Sequence, residues 1–397
     1  MRRLAGRRIV FLFHSMLSAR TKGAVKWCVG KGRALFKANA VLFIALVAAL
    51  LTCCLVRPGR EYFAYFDWKT LSCLYCVLAV VGALRNIDFF TMLARRIVRY
   101  FRTMRLCILA LAYITFIGSM FIANDMALLT FLPLGYFVLT STNHKRLLAF
   151  TFIIQNISAN LGGMLTPFGN PQNLFLYTRF NIPTLEFMWI MFPPFVISVL
   201  LITFCCLCVH NEPVQIKYTP IARHPWKMLV YLLLFALSIV IVFRFVPYIY
   251  GLLIITAVLL IMDRKALKKV DYPLLCTFAA FFVFAGNMAR IGFVRGIFEY
   301  LLGKSTLFFS VLSCQVISNV PSAILLSQFT DNYRDLLVGV NIGGTGTLVA
   351  SLASLITYSQ YRQADPNGVK RYLLMFAGFN ALFLGVLLAF SLIFQYR

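Results

Sequence analysis

Thr166-Pro167-Phe168-Gly169-Asn170-Pro171-Gln172-Asn173 lies inside an apolar run that extends from about 147 to 178. Two prolines and a glycine cannot continue a helix, so the run is predicted to break here and resume. A broken helix exposes carbonyls that can ligate a cation and amides that can hold an anion. So much polar backbone needs a wet or liganded setting when apolar chain surrounds it.

The surroundings are apolar throughout. Of 397 residues, 61% are hydrophobic and 13% charged, against roughly 45–50% and ~25% in soluble domains. A soluble globule of this length would need more charge to cover its surface. Disordered, collagenous and disulfide-scaffold classes fail on the same composition. The chain reads as an all-α polytopic membrane protein. Its eleven cysteines sit mostly in apolar runs and read as small buried hydrophobes, Cys73 and Cys76 included. His14, His144, His210 and His224 are scattered, and no H-E-x-x-H, Walker or G-x-S-x-G pattern occurs. No enzyme chemistry and no resident metal or cofactor is expected, beyond a coupling proton or sodium.

Apolar runs fall at 38–56, 69–84, 104–142, 147–178, 186–209, 227–243, 247–262, 272–287, 305–329, 333–358 and 371–395. Basic amphipathic segments at 88–103 and 288–304 read as interfacial helices. The run 104–142 is too long for one helix and short for two spans with a turn. It is predicted to be a re-entrant hairpin with its tip at Asn124-Asp125, and 305–329 a second one. That leaves about nine full crossings plus two hairpins. An eleven-crossing arrangement, with the hairpins counted as spans, is the alternative.

The formal net charge of +26 would suggest nucleic acid in a soluble protein, but its placement points to lipid instead. The first 37 residues hold ten Lys or Arg and no acid, which puts this end in the cytoplasm. With nine crossings, about three quarters of the 38 basic residues fall on that side. The expected location is the cell membrane, inner or plasma.

The chain also repeats itself. Asn160-Leu161-Gly162-Gly163 recurs as Asn341-Ile342-Gly343-Gly344. At the same offset Thr166 meets Thr347, Leu174 meets Leu355 and Tyr177 meets Tyr358. Ala123-Asn124-Asp125 aligns with Ser318-Asn319-Val320. Each half reads span, span, interfacial helix, hairpin, broken span, span. One unpaired crossing between them makes the copies inverted. The organisation is therefore a basic segment 1–37, a first inverted repeat 38–209, a linker with the unpaired crossing 210–246, and a second repeat 247–397.

Four polar clusters fall at the expected mid-membrane breaks. They supply the candidate substrate- and ion-binding residues: Asn124 and Asp125; Thr166, Gly169, Asn170, Pro171 and Asn173; Ser318, Asn319 and Pro321; Thr345, Gly346 and Thr347. Half-helix amino ends there add positive dipole character. Asp125 is the candidate proton or cation carrier, and its alternative role is a cap on the helix that follows. Gly162-Gly163 reads equally as close helix packing, and Asn319 alone as an interhelical hydrogen bond.

These motifs resemble the ion transporter superfamily, in its citrate transporter-like and arsenite permease-like branch, over nearly all the chain after about residue 38. The carriers of the likeness are Ala123-Asn124-Asp125 with the following Leu-Leu-Thr-Phe-Leu-Pro, Pro167 to Asn173, and Ser318-Asn319-Val320-Pro321. The resemblance implies inverted repeats, a homodimer, a scaffold and a mobile transport domain that moves as an elevator. It also implies carboxylate, sulfate or arsenite as substrate, with sodium–proton exchange in some branches. Sodium-coupled dicarboxylate members carry Ser-Asn-Thr at both tips. The Asn-Asp found here is more similar to the arsenite permease side, where proton coupling is natural. The expected function is ion-coupled transport of a small anion. The alternatives are a sodium–proton antiporter using Asp125, a channel, and a membrane enzyme or scaffold.

Overall fold

A computed structural model describes residues 40–214 and 225–395. The basic segment 1–37 and the linker residues 215–224 lie outside the described residues. The described chain is helical, with no strand beyond one isolated bridge between Thr103 and Pro213.

The first half runs α1 Ala40–Leu55, α2 Trp68–Asn86, α3 Phe89–Val98, α4 Met104–Phe121, α5 Asn124–Ser141, α6 Leu148–Gly162, α7 Pro171–Arg179 and α8 Thr184–Leu207. Then comes α9 Pro225–Val242. The second half runs α10 Tyr248–Met262, α11 Tyr272–Arg290, α12 Gly292–Lys304, α13 Thr306–Ile317, α14 Asn319–Leu326, α15 Tyr333–Ile342, α16 Leu352–Ala364 and α17 Val369–Gln395. Both halves have the element order expected from the sequence. Local chemistry fixes several starts: Asp67 accepts from Thr70 N at 2.9 Å and Asp271 from Leu274 N at 3.0 Å, ordinary side-chain caps that satisfy free amides.

Seven helices among the described residues are long and apolar enough to cross a membrane, and α1, α10 and α13 are shorter apolar helices. One of the seven, α4, is a hairpin arm. The strap 209–214 touches both ends of its hairpin. Met104 N donates to Glu212 O at 2.8 Å, and His144 Nε2, just past α5, donates to Glu212 Oε2 at 2.7 Å. The chain therefore returns to the side it left, and the eleven-crossing alternative does not hold for this segment. The second hairpin closes likewise, with the Oγ1 atoms of Thr306 and Thr330 3.5 Å apart.

Connecting segments sort into two sets by their contacts. Asn86 meets Asp263 and Lys269, and Arg105 meets Val209, on the side of the first hairpin's ends. Glu61 meets Arg290, Tyr177 O meets Arg244, and Glu186 meets Tyr333 and Arg334 on the other.

Packing then crosses between the halves. Helix α1 lies on α11 and α10 on α2, while α4 lies on α6 and α13 on α15. The return arm of each hairpin packs on the half-helix of the other repeat, α5 on α16 and α14 on α7. Small residues permit this: a Cβ on Gly162 would lie 2.1 Å from Phe116 O, so α6 and α4 touch backbone to backbone. The packing reading of that glycine holds. The Pro193-Pro194 pair sits within the unbroken helix α8.

Candidate functional site

Both predicted broken spans are broken. Helix α6 ends at Gly162, a single 3-10 turn covers Gly163–Leu165, and α7 begins at Pro171 with Asn170 as its extended N-cap residue. In the second half α15 ends at Ile342 and α16 begins after Ser351, also extended. Both hairpin tips are turns of one or two residues, Ile122-Ala123 and Ser318, the latter at φ 75°.

A net of buried amides joins these four points. Asn124 at the first tip donates from Nδ2 to Asn160 Oδ1 at 3.1 Å. Ser351, from the other repeat, donates from Oγ to the same Oδ1 at 2.7 Å. Asn170 Nδ2 lies 3.3 Å from Asn160 O and 3.5 Å from Asn341 Oδ1. Asn341 Nδ2 donates to Asn173 Oδ1 at 2.6 Å. Asn319 N donates to Ala350 O at 2.9 Å. Each N-cap residue thus bonds the asparagine of the opposite half. The symmetry extends to detail: Asn160 and Asn341 each donate to the carbonyl four residues back. Asn124 and Asn319 each accept from the following amide, Asp125 N at 3.0 Å and Val320 N at 2.9 Å.

Four helix amino ends, those of α5, α7, α14 and α16, therefore meet at one buried locus. Their free N–H groups and aligned dipoles favour negative charge there. Buried amide groups without bonds are costly, so the net also holds the four ends in register.

The remaining predicted residues divide in two. Asp125 follows Asn124 in the first turn of α5. It is half-buried, its Oδ1 is buried without a partner, and Ala123 rather than Asp125 occupies the cap position. Asn170 Oδ1 is likewise buried and unpartnered. Others serve the local backbone. Thr166 donates from Oγ1 to Met120 O at 2.7 Å, tying the first break to the first hairpin. Asn173 Nδ2 gathers the carbonyls of Gly163, Met164 and Thr166 within 3.3 Å. A Cβ on Gly169 would lie 2.4 Å from Gly163 O. Pro171 and Pro321 are buried in the first turns of α7 and α14. Ser318 bonds Ala350 O, and Thr345 donates to Ile342 O at 2.6 Å. Gly346 has φ 120°. Thr347 is exposed, with its N donating to Gln315 Oε1 at 2.9 Å.

Several members of the net were not among the candidates: Asn156, Asn160, Gln315, Asn341, Ser351 and Ser354. Asn156 donates to Ser354 Oγ at 3.2 Å and accepts from Thr357. The offset that carries Asn160 onto Asn341 also carries Asn170 onto Ser351 and Asn173 onto Ser354. The second break therefore has a counterpart of Asn170, written as serine. Gln315 carried no sequence signal, since a lone glutamine in an apolar helix has many roles.

A multi-pass membrane protein whose buried polar groups gather at interrupted helices has the build of a secondary transporter. The family model described as "Citrate transporter" matches residues 34–332, and the chain belongs to that family. An uncharacterized transporter of Methanocaldococcus jannaschii is 34% identical over 89% of this chain and 97% of its own length. Inner membrane protein YbiR of Escherichia coli is 29% identical over 75% of this chain and 81% of its own. Silicon efflux transporter LSI3 of Oryza sativa is 28% identical over 36% of this chain and 29% of its own. The chain is thus an integral, multi-pass membrane transporter.

Proposed function

We propose that the chain is an ion-coupled secondary active transporter of a small anion of the carboxylate, sulfate or arsenite class. The observation that carries this reading is the meeting of four helix amino ends, α5, α7, α14 and α16, around Asn124, Asn160, Asn170, Asn319 and Ser351. Such ends hold a carboxylate or oxyanion without needing a resident cation. The names of the family and of the rice relative concern citrate and silicon. The two halves are inverted repeats. The hairpins, broken spans, α8 and α17 form the moving domain, and α1, α2 and α9–α11 form the scaffold of a homodimer. The substrate crosses by elevator-type alternating access, with residues 1–37 on the cytoplasmic face of the cell membrane.

Asp125 is the coupling group. Its Oδ1 is buried and unpartnered, and its backbone N bonds Asn124 Oδ1, so a proton or sodium taken there acts beside the substrate locus. The same carboxylate favours a second reading, sodium–proton exchange with no anion moved.

The test is uptake of citrate, succinate, sulfate and arsenite into proteoliposomes under an imposed proton or sodium gradient. Asp125→Asn runs beside the wild type. Gradient-driven accumulation of one anion, lost in the variant while downhill exchange persists, is the expected result. Accumulation retained by the variant would remove Asp125 from coupling. Cation–proton exchange with none of the four anions moved would sink the anion assignment.

A further inference from the structure

The interfacial helix α3 borders an apolar groove of about 390 Å³ that it lines together with α2, α4, α5 and α9. Its walls include Leu84, Leu93, Ile97, Leu109, Ile117 and Leu232. The hydroxyl in that wall, on Tyr113, is already bonded to Thr203 Oγ1 at 2.6 Å, so nothing in the groove offers a polar ligand a partner. The groove is long: its wall on α4 runs from Leu106 to Phe121, about 22 Å at 1.5 Å per residue. One leaflet of hydrocarbon is about 15 Å deep, half of a ~30 Å core. The cavity therefore has the length and lining of an acyl-chain slot.

Its mouth is basic. Arg95, Arg96 and Arg99 lie on and just after α3, and Arg102 follows. Arg96 and Arg99 are exposed, and no carboxylate or other protein group bonds their guanidinium groups among the described residues. Arg96 lies one helical turn after the wall residue Leu93 and just before the wall residue Ile97. Free guanidinium groups above an apolar slot at the membrane boundary match a phosphodiester above an acyl chain.

We propose that this groove binds an anionic phospholipid of the surrounding leaflet, with one acyl chain in the slot and its phosphate on Arg96 and Arg99. The slot is walled by α4 on one side and by α2 and α9 on another, so a resident lipid fills the seam between them. In the elevator reading, on which this consequence alone rests, that seam separates hairpin from scaffold, and the lipid sets how readily they slide.

The experiment uses the full chain in mild detergent, titrated with phosphatidylglycerol or with phosphatidylcholine of the same acyl chains and read by native mass spectrometry. One phosphatidylglycerol is retained, at least tenfold more tightly than phosphatidylcholine. The double variant Arg96→Ala with Arg99→Ala falls to the phosphatidylcholine level. Leu93→Trp, at a residue already 46% exposed and so tolerated by the fold, plugs the slot and weakens both lipids. Equal retention of the two lipids, or retention untouched by either change, would overturn the proposal. So would a lipid-free dimer that Leu93→Trp dissociates, because a second copy would then own the groove. Binding is read without transport, so failure here leaves the transport reading standing, and the reverse.

Discussion

The two broken spans share one plan and differ in what holds them open. In the first half the gap from Thr166 to Asn170 is gathered by its own chain, through Asn173 Nδ2, and closed onto the hairpin by Thr166. In the second half the longer gap is held from outside, by Gln315 on α13. Its Nε2 donates to Gly343 O at 2.9 Å and Thr345 O at 3.3 Å. The first gap is mostly buried, whereas Thr347 and Val349 in the second are exposed. Where the first tip has Asp125, the second has Val320. The difference teaches a division of labour within an approximate symmetry. The first half supplies a self-bonded wall and the charge, and the second a wall held through one side chain.

The largest expected effect lies at the pair where the halves meet. Asn160→Ala strands both Asn124 and Ser351 as donors, each worth about 1–3 kcal/mol when left unpaired. Initial uptake in proteoliposomes should fall about 100-fold, or about 2.7 kcal/mol. Asn341→Ala leaves the Nδ2 groups of Asn173 and Asn170 with other partners and orphans only Asn173 Oδ1, so it should cost only about tenfold. Equal losses would mean that the asymmetry is cosmetic.

Next come the glycines. Gly169→Ala drives a Cβ into the backbone of Gly163, and the melting temperature should register about 2–3 kcal/mol. Gly346→Ala adds strain at φ 120° but meets only the end of the Gln315 side chain, for about 1–2 kcal/mol. The reverse order would show that the second gap, not the first, is the rigid one.

The smallest effect separates the strap from both gaps. Glu212 is held below the usual carboxylate range, first by its hydrogen bond to His144 and then by the charge of Arg146. A depressed value in the fold means stabilisation that is complete above the unfolded value near 4.3 and lost as pH falls through the folded one. Protease cleavage at the strap 209–214 should rise about twofold once pH falls below the folded value, as befits an exposed pair. Glu212→Gln should show the higher rate at every pH. A strap indifferent to Glu212 would leave the first hairpin anchored by backbone bonds and by Arg105 on Val209 O.

Hydropathy and the positions of proline and glycine determined the membrane class, the element order, both hairpins and both breaks. These are local matters of burying apolar side chains and of where a helix cannot continue. The site was half legible. Asn124, Asn170, Asn173 and Asn319 were conspicuous because amides are costly in hydrocarbon. Ser351 and Ser354 were readable by extending the repeat offset across the second gap. Only the tertiary structure decided that Asn160 serves both halves, that Gln315 holds the second gap, and that Thr347 is exposed and bonded to Gln315. Hydrogen bonds between groups some 170–200 residues apart, such as Ser351 to Asn160 and Asn156 to Ser354, depend on which helix faces pack together. No local rule of composition or periodicity carries that information.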